Sequence, residues 1–216
     1  MATDNAIRLS CWAAAVGAAA ETIAFLIAAI VAPGKVDPKT AQSIAYIGLN
    51  VLSAVGAILL LSGLPGVFVR WREGWGRMGL AGIALYGLAW TLLVFFSLVA
   101  ATLDSWLAVK APNLFEDPSG PPLYVAVTII LFVALIAASI LMAIPILRRR
   151  VGPRWVAFLL IFSSVQFVVW ILAAVSPPNL LFARIGSQAI LACVAMGYLG
   201  YLGASHTRTV RGEPAE

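Results

Sequence analysis

The sequence predicts an all-α fold, a polytopic membrane bundle of six transmembrane helices with the N- and C-termini cytoplasmic. Three observations carry that expectation. Six apolar stretches of about 20 residues, each able to cross a hydrocarbon core of about 30 Å, fill most of the 216-residue chain. Hydrophobic residues make up 62% and charged residues 11%, against about 45–50% and about 25% in soluble domains, so water is not the main solvent. Nearly all lysines and arginines fall between the apolar stretches, where they set orientation.

The first span covers residues 11–32, after a cytoplasmic segment of residues 1–10, and ends at Ala32-Pro33-Gly34-Lys35, because proline and glycine stop helices. It is too long for a signal-peptide core, carries Glu21 inside it and lacks a clear cleavage site, so it is expected in the mature chain. The second span, 43–68, leads into a basic turn from Arg70 to Arg77, and the third runs over 78–103. Residues 104–122 read as a loop with a short helix around Trp106, given Pro112, Pro118, Pro121 and Pro122. The fourth span, 123–147, is followed by Arg148-Arg149-Arg150 and the fifth, 155–175, by Pro177 and Pro178. The sixth covers 180–205, leaving 206–216 as a polar, disordered cytoplasmic tail. The whole is one membrane domain with no room for a separate soluble one.

With the N-terminus inside, ten arginines fall on the cytoplasmic side, and only Lys35, Lys39, Lys110 and Arg184 fall outside. Tryptophans agree: Trp12, Trp71, Trp75 and Trp155 lie at the inner boundary, Trp106 and Trp170 at the outer, and only Trp90 falls within a span. The net charge of +5 therefore speaks of a lipid bilayer partner and not of nucleic acid.

Small residues four apart mark faces where helices meet in lipid. Such stripes are Ala13, Gly17 and Glu21; Gly48, Leu52 and Gly56; and Ala189, Cys193 and Gly197. They pack helices of this chain, or they form a homo-oligomer or a contact with a membrane partner subunit. Cys11 and Cys193 sit at different depths and are not expected to form a disulfide. Pro65 and Pro145 near the ends of the second and fourth spans read as terminators, with gating breaks as the alternative.

Glu21 is the single ionisable residue near the middle of a span, where an acid costs about 2.5–3.5 kcal/mol on insertion scales. Counting about 1.5 Å per residue places Ser53, Tyr86, Ser163, Ser164, Gln166 and Cys193 at similar depth, with Asn50 and Gln188 about one turn further out. The candidate buried polar site is thus Glu21, Asn50, Ser53, Tyr86, Ser163, Ser164, Gln166 and Gln188. It is either a proton or substrate site, or Glu21 is a protonated brace between helices. Arg148, Arg149, Arg150 and Arg184 are read as interface anchors whose long stems snorkel to the headgroups.

The lone histidine, His206, lies in the tail, so bis-histidine haem and histidine-based zinc peptidase chemistry lack their ligands. No Gly-x-Ser-x-Gly elbow, phosphate loop or dinucleotide fingerprint occurs. No enzyme, metal or cofactor is expected. Arg-Glu-Gly-Trp-Gly-Arg-Met-Gly-Leu at 72–80 and Arg-Val-Gly-Pro-Arg-Trp at 150–155, entering spans three and five, give a layout that resembles uncharacterised six-span bacterial integral membrane proteins. The resemblance implies a bacterial cytoplasmic membrane and assigns no activity or functional residue. The expected role is a non-catalytic membrane subunit or scaffold; the alternative is a small-solute or proton-linked transporter or channel using Glu21.

Overall fold

The structure, a computed structural model, describes residues 2–31, 36–115, 122–150, 152–172 and 181–205. Within these, the side chains of 2, 114–115, 122–125, 167–172 and 181–188 are not described. The helix breaks expected at 32–35 and at Pro177 and Pro178, and the tail 206–216, lie outside the described residues, as do the side chains of Trp170, Arg184 and Gln188.

The elements are α1 (Ala2–Val31), α2 (Pro38–Ala41), α3 (Ile44–Val99), a π-helical turn (Ala100–Asp104), α4 (Ser105–Lys110), a 3-10 turn (Pro112–Phe115), α5 (Pro122–Arg149), α6 (Arg154–Leu172) and α7 (Leu181–Ser205). No strand occurs among the described residues. Three helical stretches, Thr3–Val31, Ile44–Lys110 and Ala126–Arg149, are long and apolar enough to cross a membrane, consistent with a membrane protein. Large apolar side chains such as Val55, Val133, Phe158 and Phe162 point out of the bundle and are about half exposed, a surface suited to lipid and not to water.

Helix α3 folds back on itself. Gly76 has φ 57° and ψ −152°, a conformation essentially reserved for glycine, and the chain reverses there. The two arms then run antiparallel, with Gly87 beside Leu64 and Leu61, and the Ser97 hydroxyl 3.1 Å from that of Ser53. The expected turn from Arg70 to Arg77 is therefore helical up to Trp75, because arginine stems can lie along a helix and only Gly76 has to leave it. Trp75 is sealed under the reversal at 1% exposure and occupies the space where a Cβ on Gly79 would stand.

The prolines behave differently from expectation as well. Helices α3 and α5 run through Pro65 and Pro145 instead of stopping. At Pro65 the neighbouring helix supplies the repair: the Ser10 hydroxyl donates to the Ser62 carbonyl at 2.9 Å and accepts from the Gly66 amide at 3.1 Å. That contact also explains why α1 starts at Ala2, nine residues before the apolar run, since residues 2–10 continue the helix that carries Ser10 onto α3.

Packing closes a ring: α1 lies on α3 and α7, the second arm of α3 on α5, α5 on α6, and α6 on α7. Alanine-rich α1 is the thin member, and glycines let its neighbours approach its backbone. Gly17 faces the backbone of Gly56 and Leu60, Gly63 faces Ala14, and Gly200 faces Cys11 and Ala15. Gly56 and Gly197 thus serve contacts within the chain, whereas Gly48 is open with nothing within 4 Å. The interior holds Trp75, Tyr86, Trp90, Met142, Leu160, Met196 and Leu199.

The two ends of the bundle differ in charge. The reversal at Gly76, the start of α1 and the α5–α6 connection share one end, where Arg149 donates to the Gly74 carbonyl at 3.4 Å and Arg70 lies beside Gly203. Arg8, Arg70, Arg72, Arg77, Arg148, Arg149, Arg150 and Arg154 gather there. The opposite end carries α2 and α4 with Lys39 and Lys110.

Candidate functional site

The first determinant of the site is the close approach of α1 and α3. Because Gly56 has no side chain, the Glu21 backbone and Cγ come within 3.2 Å of where its Cβ would be, and the carboxyl is pressed into the seam between the helices. Glu21 is 0% exposed. The Ser53 hydroxyl, one turn before Gly56 on α3, donates to it and sits 3.0 Å from Oε2 and 3.2 Å from Oε1. Ser97, on the returning arm, donates to the Ser53 hydroxyl at 3.1 Å. Three helical segments are thus tied by a chain of hydroxyls ending on one acid. Among the described residues no cation stands beside the carboxyl to balance a charge. An ionised carboxylate in that seam carries a heavy desolvation cost, which the protonated form avoids.

The other end of the hydroxyl chain opens into a cavity. A space of about 290 Å³ lies between α1, α3, α5 and α7 at the end away from the arginines, and Ser53 and Ser97 are both in its wall. The wall is otherwise mainly apolar, with Phe25 of α1, Tyr46, Trp90 and Phe96 of α3 and Phe132 of α5 as its aromatic members. Asn50 and Thr128 add polar atoms, and no acidic or basic side chain lines it among the described residues. The Trp90 indole packs against the Tyr86 ring, with centroids 5.7 Å apart. Glu21 itself is not in the wall; it stands one hydroxyl behind it.

A small cap borders the cavity at this end. Ala41 of α2, Tyr46 of α3 and Ala108 of α4 form a separate buried cluster on which Val36 and Ala100 pack, and Val36, Tyr46 and Ala100 also line the cavity. Tyr46 donates to Asp104 Oδ2 at 3.4 Å. Helix α2 is started by Asp37, which accepts the Thr40 amide at 2.6 Å; that bond holds its carboxyl below the usual carboxylate range.

Sequence reasoning named part of this arrangement. Glu21 and Ser53 are joined directly, and Asn50 lines the cavity while its amide donates to the Tyr46 carbonyl at 2.9 Å. Tyr86 is buried, and its hydroxyl reaches the Ala192 carbonyl of α7 at 3.3 Å. Ser163 and Ser164 turn their hydroxyls to the Leu160 carbonyl of their own helix and are not brought to Glu21. Gln166 lies on α6, outside the cavity wall. The side chain of Gln188 is outside the described residues, as is that of Arg184, while Arg148, Arg149 and Arg150 are exposed at the arginine end.

Ser97 was missed, and so was the cavity. A turn centred at residue 73 pairs Ser53 with Leu93; the actual reversal beside Trp75 shifts the register and brings Ser97 opposite. The signal that could have found it is the Gly74-Trp75-Gly76 triplet as the reversal point. Cys11 and Cys193 are both free and buried. No group of three or more His, Cys, Asp or Glu residues suited to a metal ion occurs among the described residues. Compared with known proteins, the chain matches no family model, no curated protein and no solved structure.

Proposed function

We propose that this chain is a six-span protein of a bacterial cytoplasmic membrane, and that it is a small-solute transporter whose binding site is the capped cavity above Glu21. The two arms of α3 count as separate spans, and the arginine end, with both termini, faces the cytoplasm under the positive-inside rule. The carrying observation is the cavity of about 290 Å³ whose wall hydroxyls, Ser97 and Ser53, lead to a buried acid. Its size is at the lower limit of small-molecule pockets, and an apolar wall with a few placed polar groups is the usual composition of one.

A scaffold role would use the small-residue faces for a partner subunit. Gly17, Gly56 and Gly197 are instead taken up by helices of the same chain, which favours the solute reading.

Binding tests it. The protein in lipid nanodiscs, dialysed against radiolabelled 3-phenylpropan-1-ol with empty nanodiscs as baseline, is expected to show a saturable site. Ala28→Phe, which puts a ring into the cavity from a half-buried wall position, is expected to weaken that binding at least tenfold. Uptake that is linear and equal to that of empty nanodiscs would contradict the proposal.

A further inference from the structure

The cavity's walls also specify the charge of its occupant. We infer that the solute is a small lipophilic amine, held as its ammonium ion against Ser53 and Ser97 and exchanged for the proton of Glu21. The inference rests on the transporter reading above and names its substrate class.

Four observations converge on it. The wall is mainly apolar, so the body of the solute is lipophilic, and about 290 Å³ limits it to a small molecule. Phe25, Trp90, Phe96 and Phe132 give a wall rich in aromatic rings, whose faces attract cations and not anions. No basic side chain stands in the wall among the described residues. The ionisable group at the end of the Ser97 and Ser53 hydroxyls is an acid, with 3.1 Å from Ser97 to Ser53 and 3.0 Å from Ser53 to Glu21 Oε2, and the Tyr46 hydroxyl of the wall also meets an acid, Asp104. An ammonium group bound to those two hydroxyls stands one oxygen away from the carboxyl, close enough in a water-poor site for strong attraction to its ionised form.

Charge balance then fixes the exchange. The amine enters as RNH3+; the Ser53 and Ser97 hydroxyls turn so that Ser53 accepts from Glu21 and donates to Ser97, the Glu21 O–H bond breaks with its electron pair left on the carboxylate, Ser53 and Ser97 each take one proton and pass their own on, and a proton leaves Ser97 for the cavity and the water at that end. The site carries no net charge before or after. Other titratable groups near Glu21 are the Tyr86 hydroxyl of α3 and the Cys193 thiol of α7, both within coulombic range, while Asp104 stands on Tyr46 at the cap. Both the hydroxyl and the thiol are buried with no base beside them among the described residues, so the carboxyl is the group that gives up the proton.

Three isosteric probes separate the possibilities: 3-phenylpropylamine, 3-phenylpropan-1-ol and 3-phenylpropionate, each titrated into nanodisc protein in weakly buffered solution near neutral pH. The expected result is amine binding at least tenfold tighter than alcohol binding, no saturable propionate binding, and release of about one proton per amine bound. By linkage, amine affinity falls about tenfold for each unit of pH lowered over the range in which that proton is released. In Glu21→Gln, whose amide keeps a partner for Ser53, the preference for amine over alcohol and the proton release disappear while alcohol binding remains. Alcohol binding as tightly as amine, or amine binding with no proton released, overturns the amine inference and leaves the cavity reading standing. Saturable binding of none of the three overturns both.

Discussion

Gly63→Ala is expected to lower the stability of the bundle by about 1–3 kcal/mol, the range typical of overpacking a filled interior. A Cβ at Gly63 would land on the Ala14 backbone, so no side-chain rotation relieves it and α1 has to move away from α3. The same movement separates Glu21 from Ser53, because both pairs lie along one seam. Gly48→Ala is the matched control. It has open space around it, and alanine's better helix propensity makes it neutral or stabilising by up to about 1 kcal/mol. SDS-driven unfolding of purified protein in mixed micelles reads both variants; equal behaviour of the two would mean that the α1–α3 approach is looser than described.

Replacing Glu21 separates bracing from charge. Glu21→Ala removes a fully buried side chain and leaves a void that the close-packed helices cannot fill, with an expected loss of about 2–4 kcal/mol. Glu21→Gln keeps the volume and a hydrogen-bond partner for Ser53, and its stability is expected to lie within about 1 kcal/mol of the unmodified protein. That small difference follows only if the resting carboxyl is already protonated. A Gln variant as unstable as the Ala variant, in the same unfolding assay, would instead point to an ionised carboxylate with a cation beside it.

What the sequence disclosed, and what it hid, follows from the physics of each feature. The apolar stretches were legible because hydrocarbon demands continuous helix length, and the similar depth of Glu21 and Ser53 because helical rise converts residue count to depth, though depth alone did not single Ser53 out from Ser163 or Ser164. The limits of the helices were not: Arg70 and Arg72 look like turn residues, yet their stems let α3 continue to Gly76. Pro65 looked like a stop because the Ser10 hydroxyl that bridges its turn is 55 residues away in sequence, on another helix. Ser97 depends on the hairpin register, which moves with the reversal point. The cavity is volume left unfilled among four helices, a property of their joint packing that no single stretch encodes.

In the proposed arrangement α3 is a hairpin of two membrane spans whose Gly76 end faces the cytoplasm, with the cavity and its cap on the other side. Single cysteines at Arg77→Cys and Lys39→Cys, both exposed positions, test it, with the unmodified protein as blank because Cys11 and Cys193 are buried. In sealed right-side-out vesicles a membrane-impermeant maleimide is expected to label Lys39→Cys at once and Arg77→Cys only after permeabilisation. Labelling of both from the same side would contradict the hairpin, and the reverse pattern would contradict the orientation.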